Sequence, residues 1–388
     1  MKLINRFLTN QISKLTTFYR VITITGPRQS GKTTLCRHFF PDLPYVNFED
    51  ISTRMEAIHD TKKFISRFPQ GVIIDEAHNF PDIFSTIQVE VDEDMYHGKR
   101  DRFFIVTGSS NFSLLEKVTQ SMAGRTAILT LLPLTIQELG DLAQGISTGT
   151  LILNGGFPAV WAHGIPHGAQ YGNYYSTYVE RDARQIVNVK ELTEFHRFVR
   201  LCAGRIGTEL NASALSNEVG VTTKTITQWL NILGASYIVY LLPPYYENIG
   251  KRLCKTPKIY FYDTGLAAYL LGIINEDQLN IHPLYGALFE NLVINEMIKE
   301  RYNNGKDNNF YFYRDKSQRE IDVIQWDGIH LSAYEIKSGM SFKTDFFKNI
   351  DYLKSLLNDK ITRSAVIYDG AAEIDQQERG VYNFRNFR

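Results

Sequence analysis

Cysteine is scarce in this chain and neither sign of charge is in excess, and each shortage excludes a class of protein. The 388 residues hold three cysteines, Cys36, Cys202 and Cys254, widely spaced and without a C-x-x-C pair. Such a set supports neither a disulfide framework nor a cysteine zinc site, and it suits a reducing compartment. Lysine plus arginine and aspartate plus glutamate number 42 each, so bulk charge gives no pull toward nucleic acid or membrane. Any basic surface must be local. Long apolar runs are missing too. The most apolar window, Gly265 to Ile274, is too short to cross a bilayer. The opening Met1-Lys-Leu-Ile-Asn-Arg-Phe-Leu lacks the apolar core and small-residue end of a signal peptide. The expectation is a soluble, cytoplasmic protein with no membrane partner, long enough for two or three domains.

What is present is sharper. Gly26-Pro-Arg-Gln-Ser-Gly-Lys-Thr33 matches G-x-x-x-x-G-K-[ST] at every fixed position. The β-branched run Val21-Ile-Thr-Ile-Thr25 precedes it and reads as a buried parallel strand. Leu35 to Phe40 follow without Gly or Pro, as a helix requires. Strand, loop and helix in that order make a phosphate cradle of backbone N–H groups at a helix N-terminus. The predicted nucleotide contacts are Gly26, Pro27, Arg28, Gln29, Ser30, Gly31, Lys32, Thr33 and Thr34. In this chemistry Lys32 reaches the β- and γ-phosphates and the Thr33 hydroxyl holds Mg²⁺, so the implied cofactors are ATP and Mg²⁺.

Val72-Ile-Ile-Asp-Glu-Ala-His78 is an apolar strand ending in two acids. Asp75 at its tip is placed to bind Mg²⁺, directly or through water, and Glu76 to polarise the attacking water as general base. Phe103-Phe-Ile-Val-Thr-Gly-Ser-Ser-Asn111 is a third strand running into polar residues, of which Ser109, Ser110 and Asn111 are candidates to sense a γ-phosphate. Arg125 fits two roles, a charge supplied in trans to a transferring phosphoryl group or an ordinary salt-bridged surface arginine.

Arg20 to Leu139 resembles the prokaryotic AAA-superfamily ATPases that carry a C-terminal domain of unknown function 4143. The matching pieces are Thr25-Gly-Pro-Arg-Gln-Ser-Gly-Lys-Thr-Thr34, Ile73-Ile-Asp-Glu-Ala77, Thr107-Gly-Ser-Ser110, Met122-Ala-Gly-Arg125, and Pro133-Leu134 with Glu138-Leu139. His78 stands where this family often has Gln. Later segments match as well, so the resemblance covers nearly the whole chain.

Leu142 to Gly168 is Gly-rich, includes Asn154-Gly-Gly-Phe-Pro158 and reads as a domain connection. Tyr174 to Asp182 reads as a helix, in which Tyr178-Val-Glu-Arg-Asp182 resembles a family signature and places Arg181 and Arg184 as charges that approach nucleotide or stay solvated. Leu215 to Leu230 has helix-turn-helix spacing: a short helix, a turn at Gly220, then a second helix capped by Thr222. Thr223, Lys224, Thr227 and Gln228 would face DNA, helped by a wing carrying Lys251, Arg252, Lys255 and Lys258. A module of this kind used only to touch proteins is the alternative.

Downstream, Glu290 lies on an apolar-periodic helix, and three strands cover Asn309–Tyr313, Glu320–Gln325 and Ser332–Lys337. Asp322 followed by Glu335-x-Lys337 on the next strand resembles the PD-(D/E)xK nuclease fold. That chemistry needs two carboxylates converging on Mg²⁺, here Asp322 and Glu335, with Lys337 on the same strand face and Glu290 as a further acid. A strand at Ala365–Tyr368 and a polar end complete the chain.

The expected class is α/β. It comprises a P-loop AAA-type parallel-sheet domain over 1–145, a helical, winged-helix-like domain over 146–270, and a restriction-endonuclease-like α/β domain over 271–388. Three purposes fit: an ATP-driven switch acting on DNA or a DNA-bound partner, an ATP-gated metal-dependent nuclease, or a non-catalytic scaffold that grips a protein according to nucleotide state. A trans role for Arg125 requires a homo-oligomer.

Overall fold

A computed structural model describes residues 3–99, 101–108, 122–179, 192–246, 256–357, 360–376 and 378–387. They form two compact units. One is Met1–Leu134 with Ala235–Tyr237 and Arg301–Lys306; the other is Thr135–Gly234, Ile238–Glu300 and Asp307–Arg388.

In the first unit, α1 (Leu8–Leu15) is shorter than the 2–19 stretch expected, and buries Leu8 and Ile12, four residues apart on one face. Five strands follow: β1 (Val21–Thr25), β2 (Tyr45–Asn47), β3 (Gly71–Asp75), β4 (Phe103–Thr107) and β5 (Thr126–Thr130). They pair in the order β2-β3-β4-β1-β5, all parallel. Side chains alternate between the two sheet faces. Val21, Val72, Ile74, Phe104 and Val106 pack on one side with Phe48, Phe64 and Ile87. Ile22, Ile24, Ile73, Ile105 and Leu129 pack on the other with Leu8, Ile12 and Leu35. Burial on both faces explains why β3 reads as a continuous apolar run and β1 as an unbroken β-branched one, its Thr23 and Thr25 buried with the rest. Because every strand runs the same way, the tips of β1, β3 and β4 share one edge, and the loop entering α2 (Lys32–Phe39) lies there.

The second unit holds a helix-turn-helix, α3 (Ala212–Val219) and α4 (Thr223–Ala235), joined through Gly220 at φ 87°. Asn211 caps α3, and the Thr222 hydroxyl accepts the Thr225 N–H at 3.1 Å. A hairpin of β6 (Val239–Leu242) and β7 (Lys258–Phe261) comes next, then α5 (Thr264–Leu270) and α6 (Tyr285–Asn303). The C-terminal sheet is mixed: β8 (Phe310–Arg314), β9 (Glu320–Trp326) and β10 (Leu331–Lys337) are antiparallel, while β11 (Ile361–Tyr368) and β12 (Arg379–Asn383) run parallel to β10. Helix α7 (Lys348–Leu357) buries Ile350 and Leu353 against it. Strand β12 lies in the tail expected to be merely polar. Its place beside β11 covers a strand that would otherwise be an open edge.

Within this unit the hairpin and the C-terminal sheet are stitched together. The Tyr245 N–H donates to the Phe312 carbonyl at 2.7 Å and the Phe312 N–H to the Pro243 carbonyl at 3.0 Å. The Asn291 side chain of α6 accepts the Phe261 N–H and donates to the Phe261 carbonyl, at 2.9 and 2.8 Å.

Candidate functional site

The loop between β1 and α2 is shaped by two glycines. Gly26 sits at φ 140°, where a Cβ would lie 2.2 Å from the Leu131 carbonyl oxygen, and Gly31 is left-handed at φ 94°. Pro27 and Ser30 are buried, Arg28 is half-buried with Nη1 3.8 Å from Glu49 Oε1, and Gln29 and Thr34 are exposed. Lys32 is buried inside the loop and donates to the carbonyls of Gly26 at 3.0 Å and Pro27 at 2.8 Å. Burial lowers its pKa to about 8 against the opposing fields of Glu76 and Asp75. An ammonium wrapped by its own loop's carbonyls, in a cradle that tolerates no Cβ at Gly26, suits a polyanion.

Asp75, 4% exposed, is the hub of the strand tips. Its Oδ2 accepts from the Thr33 hydroxyl at 2.7 Å and from the Tyr45 hydroxyl at 2.8 Å. Its Oδ1 accepts from the Thr107 hydroxyl. Burial and the bond to Asp75 both raise the Tyr45 phenol. Glu76 follows in the left-handed region at φ 53°, uncommon for a residue with a side chain, and His78 Nδ1 stands 3.1 Å from its Oε2. Lys32, Thr33, Asp75 and Glu76, separated in sequence, therefore meet at one edge. This donor set fits a nucleotide and a hard divalent ion: a buried cation, a hydroxyl and a carboxylate side by side, and a second acid beyond.

A second cluster lies in the other unit. Asp322 on β9 accepts the Ile336 N–H at 2.7 Å, and Lys337 Nζ is 3.4 Å from the same oxygen while also bonding Glu335 Oε2. The other Glu335 oxygen is buried and takes no N–H or hydroxyl from any described residue, while the Glu335 carboxyl pairs with that of Asp322. Burial, then Asp322, push the Glu335 carboxyl above the ordinary carboxylate range. Burial works against the charged form of Lys337, but the fields of Asp322 and Glu335 outweigh it and raise that amine. Glu290 on α6 accepts from the Tyr260 hydroxyl and stands 3.5 Å from Lys258 Nζ; burial, then Asp322, raise it as well.

A family model described as an AAA domain matches residues 19–140, a domain of unknown function (DUF4143) matches 285–387, and a domain of unknown function (DUF8612) matches 146–277. An uncharacterised protein of Mycobacterium tuberculosis is 30% identical over 356 residues, covering 90% of this chain and 76% of that protein. The chain belongs to this family of AAA-superfamily P-loop ATPases with a C-terminal DUF4143. An uncharacterised protein of Haemophilus influenzae is 23% identical over 326 residues, 74% of this chain and 76% of the relative. Among solved structures, a Walker-type ATPase of Pyrococcus abyssi is similar at 12% identity and TM-score 0.46, over 69% of this chain and 96% of its own. The Orc1 protein of Aeropyrum pernix in complex with DNA is similar at 12% identity and TM-score 0.28, over 70% and 91%.

Of the other expected residues, Arg125 forms the salt bridge that was one of its two expected roles, whereas Lys258 departs from expectation. Arg125 immediately precedes β5, at the end of the sheet opposite the phosphate loop, and makes a bidentate pair with Asp92 at 2.5 and 2.9 Å. The structure does not bring it to the nucleotide site of its own chain. Lys258 is not a wing lysine offered to DNA: it is 1% exposed and turned inward on Glu290 and Glu320, because its strand is covered by the C-terminal sheet. Thr223, Lys224, Thr227 and Gln228 are exposed along α4. Ser109, Ser110, Asn111, Arg181, Arg184, Lys251, Arg252, Cys254 and Lys255 lie outside the described residues. The helix expected over Tyr174–Asp182 is instead α-helical to Tyr174 and π-helical over Tyr175–Val179, with 180–182 outside the described residues.

Sequence reasoning passed over three residues at the nucleotide edge. Thr107 was quoted in a motif but given no role, although a hydroxyl at a strand tip is a readable signal. Tyr45 meets Asp75 only through the pairing of β2 with β3. Arg6 has Nη1 2.7 Å from the Ser30 carbonyl and Nη2 2.6 Å from the Leu132 carbonyl, a clamp on the phosphate loop that no local pattern announces. No helix among the described residues is long and apolar enough to cross a membrane.

Proposed function

We propose that this protein binds and hydrolyses MgATP and uses the cycle as a switch on a partner, for which DNA or a DNA-bound protein is the favoured class. The observation that carries the reading is the meeting of Lys32, Thr33, Asp75 and Glu76 at one sheet edge. Bound Mg²⁺, held through Thr33 and Asp75, would supply charge neutralisation across the phosphates. The chain's own part is to wrap the phosphates in the loop N–H groups, to bring the Lys32 ammonium to them, and to aim Glu76 at water. That water adds to the γ-phosphorus, its proton passes to Glu76, and the bond to the bridging oxygen breaks, releasing ADP and phosphate. Lys32→Ala is expected to abolish ATP binding in a titration; unchanged affinity would remove the phosphate assignment. Glu76→Gln should bind ATP normally and turn over about 10²–10⁴-fold more slowly, the range for loss of a general base.

The DNA arm rests on the exposed polar face of α4, where Lys224, Thr227 and Gln228 stand clear. Duplex DNA is expected to stimulate ATP turnover, and Lys224→Ala with Gln228→Ala to remove the stimulation but not the basal rate. If turnover ignores DNA, the partner is a protein.

A second reading is favoured by one observation, the convergence of the buried carboxyls of Asp322 and Glu335 beside Lys337. We infer metal-dependent phosphodiester hydrolysis there: water adds to phosphorus, the bond to the sugar oxygen breaks, and that oxygen leaves as a hydroxyl. The donor set fits a hard ion, with Asp322 and Glu335 as the residues to hold it and Lys337 to orient the water. Cleavage of linear, circular or single-stranded DNA with Mg²⁺ or Mn²⁺ should vanish in Lys337→Ala; dependence on ATP would show as loss in Lys32→Ala too.

A further inference from the structure

The carboxylate cluster of the second unit has an inner cation that neither reading above employs. Lys258 opens β7 and points its ammonium between two acids, 2.5 Å from Glu320 Oε1 and 3.5 Å from Glu290 Oε1. It is 1% exposed, and its ammonium lies 5.4 Å from the centre of the Phe312 ring. The two acids are further committed: Glu290 accepts from the Tyr260 hydroxyl, and Glu320 Oε2 stands 3.6 Å from Arg314 Nε. On the other side of the cluster, Asp322 and Glu335 share Lys337, itself a third exposed, and one buried Glu335 oxygen takes no N–H or hydroxyl from any described residue.

Sites that hold two divalent ions about 3.5–4 Å apart need enough carboxylate oxygen to surround both. Here two of the four carboxylates, Glu290 and Glu320, already face one amine that is sealed from water and fixed by the hairpin. Among the described residues no group of three or more His, Cys, Asp or Glu side chains is arranged to hold a metal. That leaves Asp322 and Glu335 as a pair of protein ligands, enough for one ion that keeps part of its water shell, as Mg²⁺ and Mn²⁺ do. We propose that the Lys258 ammonium stands in for a second metal ion, so that this site takes one divalent cation, between Asp322 and Glu335, and no more. The inference rests on the phosphodiesterase reading and fixes its metal requirement: one exchangeable ion, with a protein-borne charge beside it that no chelator removes. Removing Lys258 alone would leave Glu290 and Glu320, both partly buried, without their shared ammonium, which favours entry of another cation in its place.

The test is a Mn²⁺ titration of the full chain without nucleotide, followed by the EPR signal of free Mn²⁺, in an Asp75→Asn background that silences the ATPase metal site. One tightly held ion per chain is expected, lost in Glu335→Gln. Lys258→Met should raise the stoichiometry to two, and Lys258→Arg should keep it at one, because the guanidinium restores the charge. Two ions in the protein with Lys258 intact would overturn the proposal while leaving the phosphodiesterase reading standing. No ion in that protein, with none gained in Lys258→Met, would overturn both. Should Lys258→Met fail to fold, the Lys258-intact and Lys258→Arg stoichiometries decide alone.

Discussion

Asp75 carries more of this protein than its place in a motif suggests. Three hydroxyls, from Thr33, Tyr45 and Thr107, converge on its two oxygens from three different elements. A partner that orients a ligating carboxylate without touching the metal typically changes metal affinity 10–100-fold when removed. Tyr45→Phe is therefore expected to raise the Mg²⁺ concentration needed for half-maximal ATP turnover about 10-fold, with metal-free nucleotide affinity unchanged. A shift in nucleotide affinity alone would assign Tyr45 to the loop rather than to Asp75. Arg6 acts at a greater remove. Its two bonds to carbonyls are charge-assisted, each worth about 1.5–3 kcal/mol, and Arg6→Ala leaves the Ser30 and Leu132 oxygens without them. A loss of about 3 kcal/mol in denaturant unfolding of the first unit is the expected result. Lys32, Thr33, Asp75 and Glu76 were legible because the chemistry fixes their types and spacing. Tyr45 and Arg6 were not, since their partners are chosen by sheet order and by chain segments more than a hundred residues apart in the case of Arg6 and Leu132.

At the scale of elements, the central strands announced themselves, and so did the half-exposed β8, expected over Asn309–Tyr313; the last strand of the C-terminal sheet did not. β1, β3 and β4 were readable to within a residue or two because central parallel strands, buried on both faces, are runs of apolar and β-branched residues. β12, with Arg379-Gly-Val-Tyr-Asn383, carries no such run and exists because β11 offers it a ladder. The start of α5 is fixed by one buried side chain: Asp263 accepts the N–H groups of Gly265 at 2.9 Å and Leu266 at 3.2 Å, and that of Gly156 at 2.8 Å. Burial holds its carboxyl above the usual range, with the hydroxyl of Tyr171 and these N–H groups working the other way. Asp263→Ala strands three buried donors and is expected to destabilise the second unit by on the order of 3 kcal/mol, read by thermal unfolding. Asp263→Asn, which keeps an oxygen acceptor, should cost less.

At the scale of the molecule, the segments expected as a middle module and a C-terminal module share one compact unit. The sequence could not reveal this. A Gly-rich stretch or a change of pattern marks where a chain turns, whereas the stitches are single contacts such as Tyr245 to Phe312, Phe261 to Asn291 and Lys258 to Glu320. Residues 135–388 are expected to unfold in one cooperative transition by circular dichroism, and residues 285–387 alone to show none. The placement of Lys258 reaches beyond biophysics, to the gene. Its partners Glu290 and Glu320 lie downstream of position 285, where the DUF4143 match begins, and the lysine lies upstream of it. A recombination joint near codon 280 would bring two inward-facing acids to a host hairpin with no amine to meet them. The two segments should therefore travel together through descent, each a condition for the other's survival.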